Sequence, residues 1–254
     1  MISLAEVTVG YGADRARPVL EKVTVDFPDG AITAILGPNG VGKTTLLNLC
    51  LGWLKPWLGS VRVDGSGLGT MGNRQRGRLL SLVPQSDHVP FEYTLLEYVL
   101  LGRAPYLQRT QAPRHEDVAA AEDALARVGL VESADRPVLE ISAGERQLVL
   151  LARSLAQDTR ALLLDEPAAH LDPANKRRLV SLLRDQAADG RCVITTVHEP
   201  QFAMHVADRV VLLAAGAVAA EGLPDDVMTA QLLSAAYSTP IEVRRVDSRS
   251  AFFW

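Results

Sequence analysis

Residues Gly37-Pro38-Asn39-Gly40-Val41-Gly42-Lys43-Thr44-Thr45 form a glycine-rich segment with the pattern G-x-x-x-x-G-K-[ST]. The apolar run at 31–36 predicts a strand before it, and the apolar residues at 46–51 predict a buried helix after it. Strand, glycine loop and helix are the context in which this pattern binds phosphates. The sequence therefore predicts a phosphate-binding loop and disfavours a chance glycine turn with a solvated lysine.

Each part of this loop has a chemical role toward a polyphosphate. Glycines let backbone N–H groups approach the phosphates with no side chain in the way, and the following helix points its positive end at the same place. We expect Lys43 to place a charge on the β- and γ-phosphates and the Thr44 hydroxyl to bind the Mg²⁺ that accompanies a nucleotide.

The composition favours a globular chain with an ordinary core. The chain has 254 residues, of which 48% are hydrophobic, enough for about one or two domains. Its net charge of −4 gives no basic footprint, so we expect no nucleic-acid partner. Cys50 and Cys192 lie far apart in apolar runs, which favours two buried thiols in a reduced, cytosolic protein over a disulfide.

No stretch has the pattern of a membrane helix or a secretory signal. Residues 1–10 contain no basic residue, which is not typical of a signal peptide. The longest uncharged apolar run, 210–220, is well short of the ~20 residues that a membrane helix needs. Any role at a membrane would therefore require a partner.

Periodicity and turn residues predict an α/β chain. Strands are expected at 2–9, 19–27, 60–65, 78–83, 161–166, 192–197, 210–213 and 217–220. Residues 65–78 are rich in glycine and arginine and are expected to form a mobile surface loop. Helical patterns over 86–158, with a capping box from Thr94 to Glu97, predict a helical subdomain inserted in the α/β core. The last eleven residues, 244–254, are expected to form a loosely held end.

Polar residues follow several of these strands. Asp165 and Glu166 could form only a solvated strand end. Their position after a phosphate loop makes Asp165 a candidate Mg²⁺ ligand, and Glu166 a candidate to orient or deprotonate an attacking water. Gln85 and His198 also follow strands, where an α/β sheet carries its ligand site, although either could be an ordinary polar residue.

The segment Ser142-Ala143-Gly144-Glu145 has the pattern of a capping box that opens a helix over 144–156. A serine and free N–H groups at a helix start also suit an anion such as a phosphate. The two interpretations are compatible.

Together these residues resemble the nucleotide-binding subunits of ABC transporters, which are P-loop NTPases, over residues 2–243. The matching motifs are the Walker A loop (37–45), the Q-loop (Gln85), the signature (141–147), Walker B (161–166), the D-loop (Ala169-His170-Leu171-Asp172) and the H-loop (196–199). The resemblance implies one nucleotide-binding domain over 1–243 with a C-terminal tail over 244–254. Its fold would have a mostly parallel sheet, an antiparallel N-terminal β region and the inserted helical subdomain.

The resemblance also implies roles for single residues with ATP and Mg²⁺ as ligands. Tyr11 would stack on adenine, and the remaining residues fall into three groups. Glu166, His198 and Gln85 would act in catalysis; Thr44, Gln85 and Asp165 would bind Mg²⁺; and the loop 37–45 with Ser142, Ala143, Gly144, Glu145 and Asp172 would contact the nucleotide. The chain departs from the family at Ala143, where glycine is usual, at Ile141, where leucine is usual, and in the D-loop, where Ser-Ala-Leu-Asp is commoner.

In the family, ATP lies between Walker A of one subunit and the signature of another. One copy of each motif therefore implies a homodimer, bound to membrane permease subunits at the cytoplasmic face of the cell membrane and served indirectly by a substrate-binding protein. Residues 101–105 and 222–243 are similar to importers of iron–siderophore, haem and cobalamin, and Phe91-Glu92-Tyr93-Thr94 is similar to molybdate and tungstate importers. A soluble ABC ATPase acting on DNA or ribosomes and a P-loop kinase or switch are the alternatives.

Overall fold

The computed structural model describes residues 1–254 except residues 13, 14, 16, 88, 90, 109, 170, 247, 248 and 254. The chain divides into two compact units, one made of residues 1–71 and 187–254 and the other of residues 72–186. Among the described residues, no helix is long and apolar enough to cross a membrane.

Strands and helices alternate along most of the chain. The strands are β1 Ile2–Val9, β2 Leu20–Phe27, β3 Ile32–Leu36, β4 Leu58–Val63, β5 Ser66–Gly67, β6 Leu80–Val83, β7 Ala161–Asp165, β8 Cys192–Val197, β9 Arg209–Ala214, β10 Ala217–Gly222, β11 Glu242–Val246 and β12 Arg249–Phe253. The helices are α1 Lys43–Cys50, α2 Asn73–Leu79, α3 Leu95–Leu100, α4 His115–Arg127, α5 Ala143–Ala156, α6 Pro173–Ala188, α7 Pro200–Val206, α8 Pro224–Val227 and α9 Ala230–Tyr237.

The first unit contains two main sheets, one antiparallel and one mostly parallel. Strands β2, β1, β4 and β5 form an antiparallel sheet in that order. In the second sheet β3 lies between β8 and β9 and is parallel to both, and β10 pairs with β9 as an antiparallel hairpin. Every residue of β3 and β8 is buried, as expected of parallel strands covered on both faces. The antiparallel N-terminal β region and the parallel core are thus confirmed.

The second unit combines a parallel strand pair with a cluster of helices. Strand β6 is parallel to β7, whose five residues are all buried. Helices α3, α4 and α5 pack against one another, and the described part of 86–158 contains no strand, as expected of a helical segment. Its bounds as an inserted subdomain stay a prediction. The capping box of α3 is present, with Thr94 Oγ1 accepting from the Glu97 amide.

The prediction of a mobile loop over 65–78 is wrong. This segment contains the short strand β5, one turn of 3₁₀-helix and α2. The end of α2 is held from a distant helix, because the Gln157 side-chain amide donates to the carbonyl oxygens of Gly77 and Leu80 at 2.6 and 3.0 Å. Local composition does not reveal such a partner.

The C-terminal residues are more ordered than the expected loose end. Strands β11 and β12 pair as an antiparallel hairpin. The Gln201 amide of α7 donates to the Ser250 carbonyl at 3.2 Å, and Phe252 is buried. The isolated apolar residues of this segment gave no clear strand periodicity, so its order comes from tertiary contacts.

Candidate functional site

The phosphate-binding loop leaves β3 through glycines that no other residue could replace without strain. Gly37 has φ +155°, and a Cβ there would lie 2.5 Å from the Leu213 carbonyl oxygen. Gly42 has φ +111°, and its Cβ would lie 2.6 Å from Leu20 Cδ2. Because both contacts are shorter than van der Waals distance, the loop depends on glycine for space and for backbone conformation.

Lys43, the first residue of α1, is a buried cation held against the inner side of this loop. Its side chain is only 6% exposed. Its Nζ donates to the carbonyl oxygens of Gly37 at 2.8 Å and Pro38 at 3.1 Å. Two main-chain acceptors thus fix the position of the charge, while the next residue, Thr44, is exposed.

Tyr11 is tied to the same loop. The Tyr11 hydroxyl lies 3.2 Å from the Oγ1 of Thr45, the third residue of α1. The side chain nevertheless remains 59% exposed. A tyrosine whose hydroxyl is hydrogen-bonded and whose ring is exposed is available for stacking.

His198 lies beside the loop because of strand register. Parallel pairing places Leu36 of β3 opposite Val197 of β8, so Gly37 and His198 follow neighbouring strands at the same edge. The Tyr237 hydroxyl donates to the His198 carbonyl at 3.3 Å. Burial raises the pKa of Tyr237 to about 12, and the backbone of Gly37 opposes this rise in pKa. In the sequence, Tyr237 stands out only as part of residues 222–243, the segment similar to metal-chelate importers. Nothing in its local pattern indicates contact with His198.

In the second unit, parallel pairing brings Gln85 and Glu166 together. Val83 of β6 lies opposite Leu164 of β7, so Gln85, Asp165 and Glu166 share one sheet edge. Asp165 is buried at 9% exposure. Gln85 Nε2 donates to Glu166 Oε2 at 3.0 Å, and Glu166 itself has a left-handed φ of +46°. A left-handed glutamate is uncommon and frequently marks a functional position.

The predicted capping box at the signature is confirmed. Ser142 Oγ accepts from the Glu145 amide at 3.2 Å, and Glu145 accepts from the Ser142 amide at 2.9 Å. The Ser142 amide is the main cause that lowers the pKa of Glu145 below its usual value, and Arg136 adds to the effect. Ser142 and Ala143 remain exposed at the start of α5.

Asp172 caps α6. Its two carboxylate oxygens accept from the Asn175 backbone amide at 2.8 Å and from the Asn175 side chain at 3.1 Å. Asp172 thus has a structural role at the start of α6, while its contact with nucleotide stays a prediction. His170 of the D-loop lies outside the described residues.

The residues of the first unit fit a polyphosphate. Gly37, Gly40 and Gly42 all have positive φ, and a Cβ at Gly40 would meet nothing within 4 Å. Backbone of this kind forms a concave set of N–H groups, and Lys43 supplies a buried positive charge beside it. The Thr44 hydroxyl is an oxygen ligand of the type that Mg²⁺ prefers.

Comparison with known proteins is consistent with this chemistry. Residues 20–169 match the family model described as ABC transporter. A hemin import ATP-binding protein of Nocardia farcinica is 40% identical over 232 residues, which are 91% of this chain and 80% of that protein. A cobalamin import ATP-binding protein of Halobacterium salinarum is 37% identical over 89% of this chain and 56% of that protein.

Among solved structures, a metal-chelate type ABC transporter in an inward-facing conformation has a similar fold. It superposes with a TM-score of 0.85 at 30% identity, covering 99% of this chain and 95% of that one.

Proposed function

The chain belongs to the ABC transporter family, and we propose that it is the ATP-binding and ATP-hydrolysing subunit that energises import of a metal chelate, with haem as the first candidate. The observation that carries the choice of substrate class is the 40% identity to a hemin import subunit across 91% of this chain. Cobalamin is the second candidate, favoured by the relative of that name at 37% identity.

ATP binding falls to the residues of the phosphate loop. Lys43 neutralises phosphate charge from a buried position fixed by two carbonyl oxygens, and the loop amides donate to phosphate oxygens. Tyr11 stacks on the adenine with its exposed ring. These contacts hold the nucleotide before any bond is broken.

Hydrolysis falls to Glu166 with Gln85 and His198. Glu166 accepts a hydrogen bond or a proton from the attacking water, and Gln85 orients that carboxylate through the 3.0 Å hydrogen bond. Thr44, Asp165 and Gln85 would hold Mg²⁺, whose charge would offset the negative charge that develops on the phosphate oxygens. The chain's own contribution is to place an acceptor for the water and donors for the phosphates.

Two copies of the chain complete the reaction site. The signature serine, Ser142, is exposed at a helix start with its backbone already satisfied by Glu145. We propose that Ser142, Ala143, Gly144, Glu145 and Asp172 act on nucleotide bound by a second copy, giving a two-fold homodimer. The dimer binds permease subunits on the cytoplasmic side of the membrane, and a substrate-binding protein delivers the chelate to them.

The experiment is to isolate the full chain from solubilised membranes, identify the multi-span protein recovered with it, and reconstitute the complex in vesicles. Uptake of haem, cobalamin and a ferric siderophore is measured with and without ATP, and a complex carrying Glu166→Gln serves as the control. ATP-dependent haem uptake that the control lacks supports the proposal. Uptake of cobalamin alone selects the second candidate, and recovery of ribosomes or nucleic acid without a membrane protein would overturn a transport function.

A further inference from the structure

A network of three side chains in the second unit holds the segment just after Gln85. Asp87 accepts hydrogen bonds from the Tyr98 hydroxyl and from Arg153 Nη1, the second at 2.8 Å. Arg153 Nη1 also lies 2.6 Å from the Tyr98 hydroxyl oxygen, and its guanidinium carbon lies 4.9 Å from the centre of the Tyr98 ring. The segment after β6, helix α3 and helix α5 therefore meet at one carboxylate.

The network is partly buried, with Tyr98 at its most protected point. Tyr98 is 3% exposed, and the side chains of Arg153 and Asp87 are 22% and 27% exposed. Burial is the first cause that raises the pKa of Tyr98 above its usual value, followed by its hydrogen bond to Asp87. Tyr98 therefore remains a hydrogen-bond donor at physiological pH. Hydrogen bonds to charged groups in such surroundings are among the stronger ones in proteins.

Among the described residues, the Gln85 side chain makes one hydrogen bond, to Glu166 Oε2, so an anchor on the following segment would help to hold it in place. Its side chain is exposed, and it borders a cavity of about 290 Å³ that Asp87, Ala143 and Gln147 also line. On the far side of this cavity, Gln147 Nε2 is buried and has no hydrogen-bond partner among the described residues.

We propose that Tyr98 and Arg153 are positioning residues for ATP hydrolysis, which hold Asp87 and thereby keep the Gln85 amide on the Glu166 carboxylate. The proposal rests on the proposed function, because it assigns Glu166 and Gln85 to the hydrolytic step. It also connects two motifs, since Arg153 lies on α5, the helix that begins next to Ser142. A shift of the signature helix would thus reach Gln85 through a single carboxylate.

The test compares Tyr98→Phe with Tyr106→Phe in the complex of the full chain with its membrane partner. Tyr106 is a matched control because its hydroxyl donates to the carbonyls of Gln157 and Asp158 at 3.0 and 3.1 Å. The Arg103 guanidinium also lies 4.1 Å from the centre of the Tyr106 ring. Each variant loses one hydroxyl and keeps a ring under an arginine, but only Tyr98 contacts Asp87.

We expect Tyr98→Phe to lower kcat for ATP hydrolysis by about threefold to tenfold, because the coupling lost within one hydrogen-bond network is modest. The KM for ATP should stay unchanged in Tyr98→Phe, and the kcat of Tyr106→Phe should match the parent. Adding Gln85→Ala should remove the effect, because Tyr98 then has nothing to position. The inference is overturned if Tyr98→Phe keeps the parent kcat, or if its effect persists in full beside Gln85→Ala.

Glu166→Gln in the same complex separates this inference from the proposed function. If Glu166→Gln hydrolyses ATP at the parent rate, the catalytic assignment itself fails. If Glu166→Gln is inactive and Tyr98→Phe behaves like Tyr106→Phe, only the positioning role is lost.

Discussion

The phosphate loop of the first unit and the Gln85–Glu166 edge of the second unit are built in different ways. The shape of the loop is set mainly by main-chain groups, because glycine conformations determine its path and two carbonyl oxygens hold Lys43. At the Gln85–Glu166 edge, hydrogen bonds between side chains set the arrangement. Gln85 donates to Glu166, and Arg153 donates to Asp87. Under the proposed function, ATP binding would depend on a continuous motif, whereas hydrolysis would depend on residues scattered along the chain.

This contrast predicts which changes should abolish binding and which should abolish only turnover. Backbone-built sites tolerate few substitutions at the loop itself, since any Cβ at Gly37 or Gly42 meets an atom at 2.6 Å or closer. Loss of a side-chain contact at the Gln85–Glu166 edge leaves the glycine conformations of the loop unchanged. The following predictions are ordered by the size of the expected effect.

Lys43→Ala should have the largest effect, because it removes the buried cation opposite the phosphates. Leaving one member of such a pair without its partner costs about 3–5 kcal/mol, which is more than a hundredfold in the Kd for ATP. Equilibrium binding of ATP would measure this, with the exposed Lys55→Ala as the control of equal charge change. Near-parent affinity in Lys43→Ala would show that the loop does not bind phosphate.

Glu166→Gln should come second, with its effect confined to the chemical step. Glutamine keeps an oxygen that can accept from Gln85 Nε2, so the local hydrogen bond survives, but it cannot take a proton. Loss of general-base help typically lowers a rate by about 10²–10⁴. Steady-state hydrolysis by the assembled complex would show the loss, and Glu140→Gln, an exposed glutamate of the same unit, should leave the rate unchanged.

Tyr11→Ala should weaken ATP binding by an intermediate amount. Stacking of a base on an aromatic ring is worth about 1–3 kcal/mol. Tyr11→Phe keeps the ring and loses only the contact with Thr45 Oγ1, so its Kd should rise much less. Equal losses in the two variants would indicate that the hydroxyl, and not the ring, is the important group.

Ala143→Gly should have the smallest effect. Ala143 is exposed at the first position of α5, and the capping box made by Ser142 and Glu145 does not involve its side chain. The change restores the residue that is usual in the family, so the ATPase rate should stay the same or rise slightly. The free energy of unfolding should fall by about 0.5–1 kcal/mol, the cost of glycine in a helix, and Tm should fall with it. A large loss of activity would mean that the methyl group is needed.

The same contrast explains how much of the molecule the sequence could predict. The loop, the buried strands β3, β7 and β8 and the capping boxes of α3 and α5 follow from local patterns, and the structure confirms them. The helix over 73–79, the C-terminal hairpin and the contact of Tyr237 with His198 were not predicted. Each of these depends on a partner far away in sequence, such as Gln157 for α2.

Candidate site residues also divide into those that belong to a local motif and those that only the fold brings together. Lys43, Gln85, Glu166 and Ser142 were predicted as site residues because each belongs to a short motif, and their roles stay predictions. Tyr98 and Arg153 belong to ordinary helix sequence, and only the fold brings them to Asp87. Sequence reasoning thus reached the groups that would touch ATP and missed those that hold them.

The most direct test of the account measures ATP binding and single-turnover hydrolysis on the same preparations of the parent, Lys43→Ala and Glu166→Gln proteins. If binding is built by the loop and chemistry by the side chains after β7, Glu166→Gln should bind ATP like the parent and fail to hydrolyse it, while Lys43→Ala should fail at both. If Glu166→Gln instead loses ATP affinity as severely as Lys43→Ala, or hydrolyses bound ATP at the parent rate, the separation of binding from chemistry is contradicted.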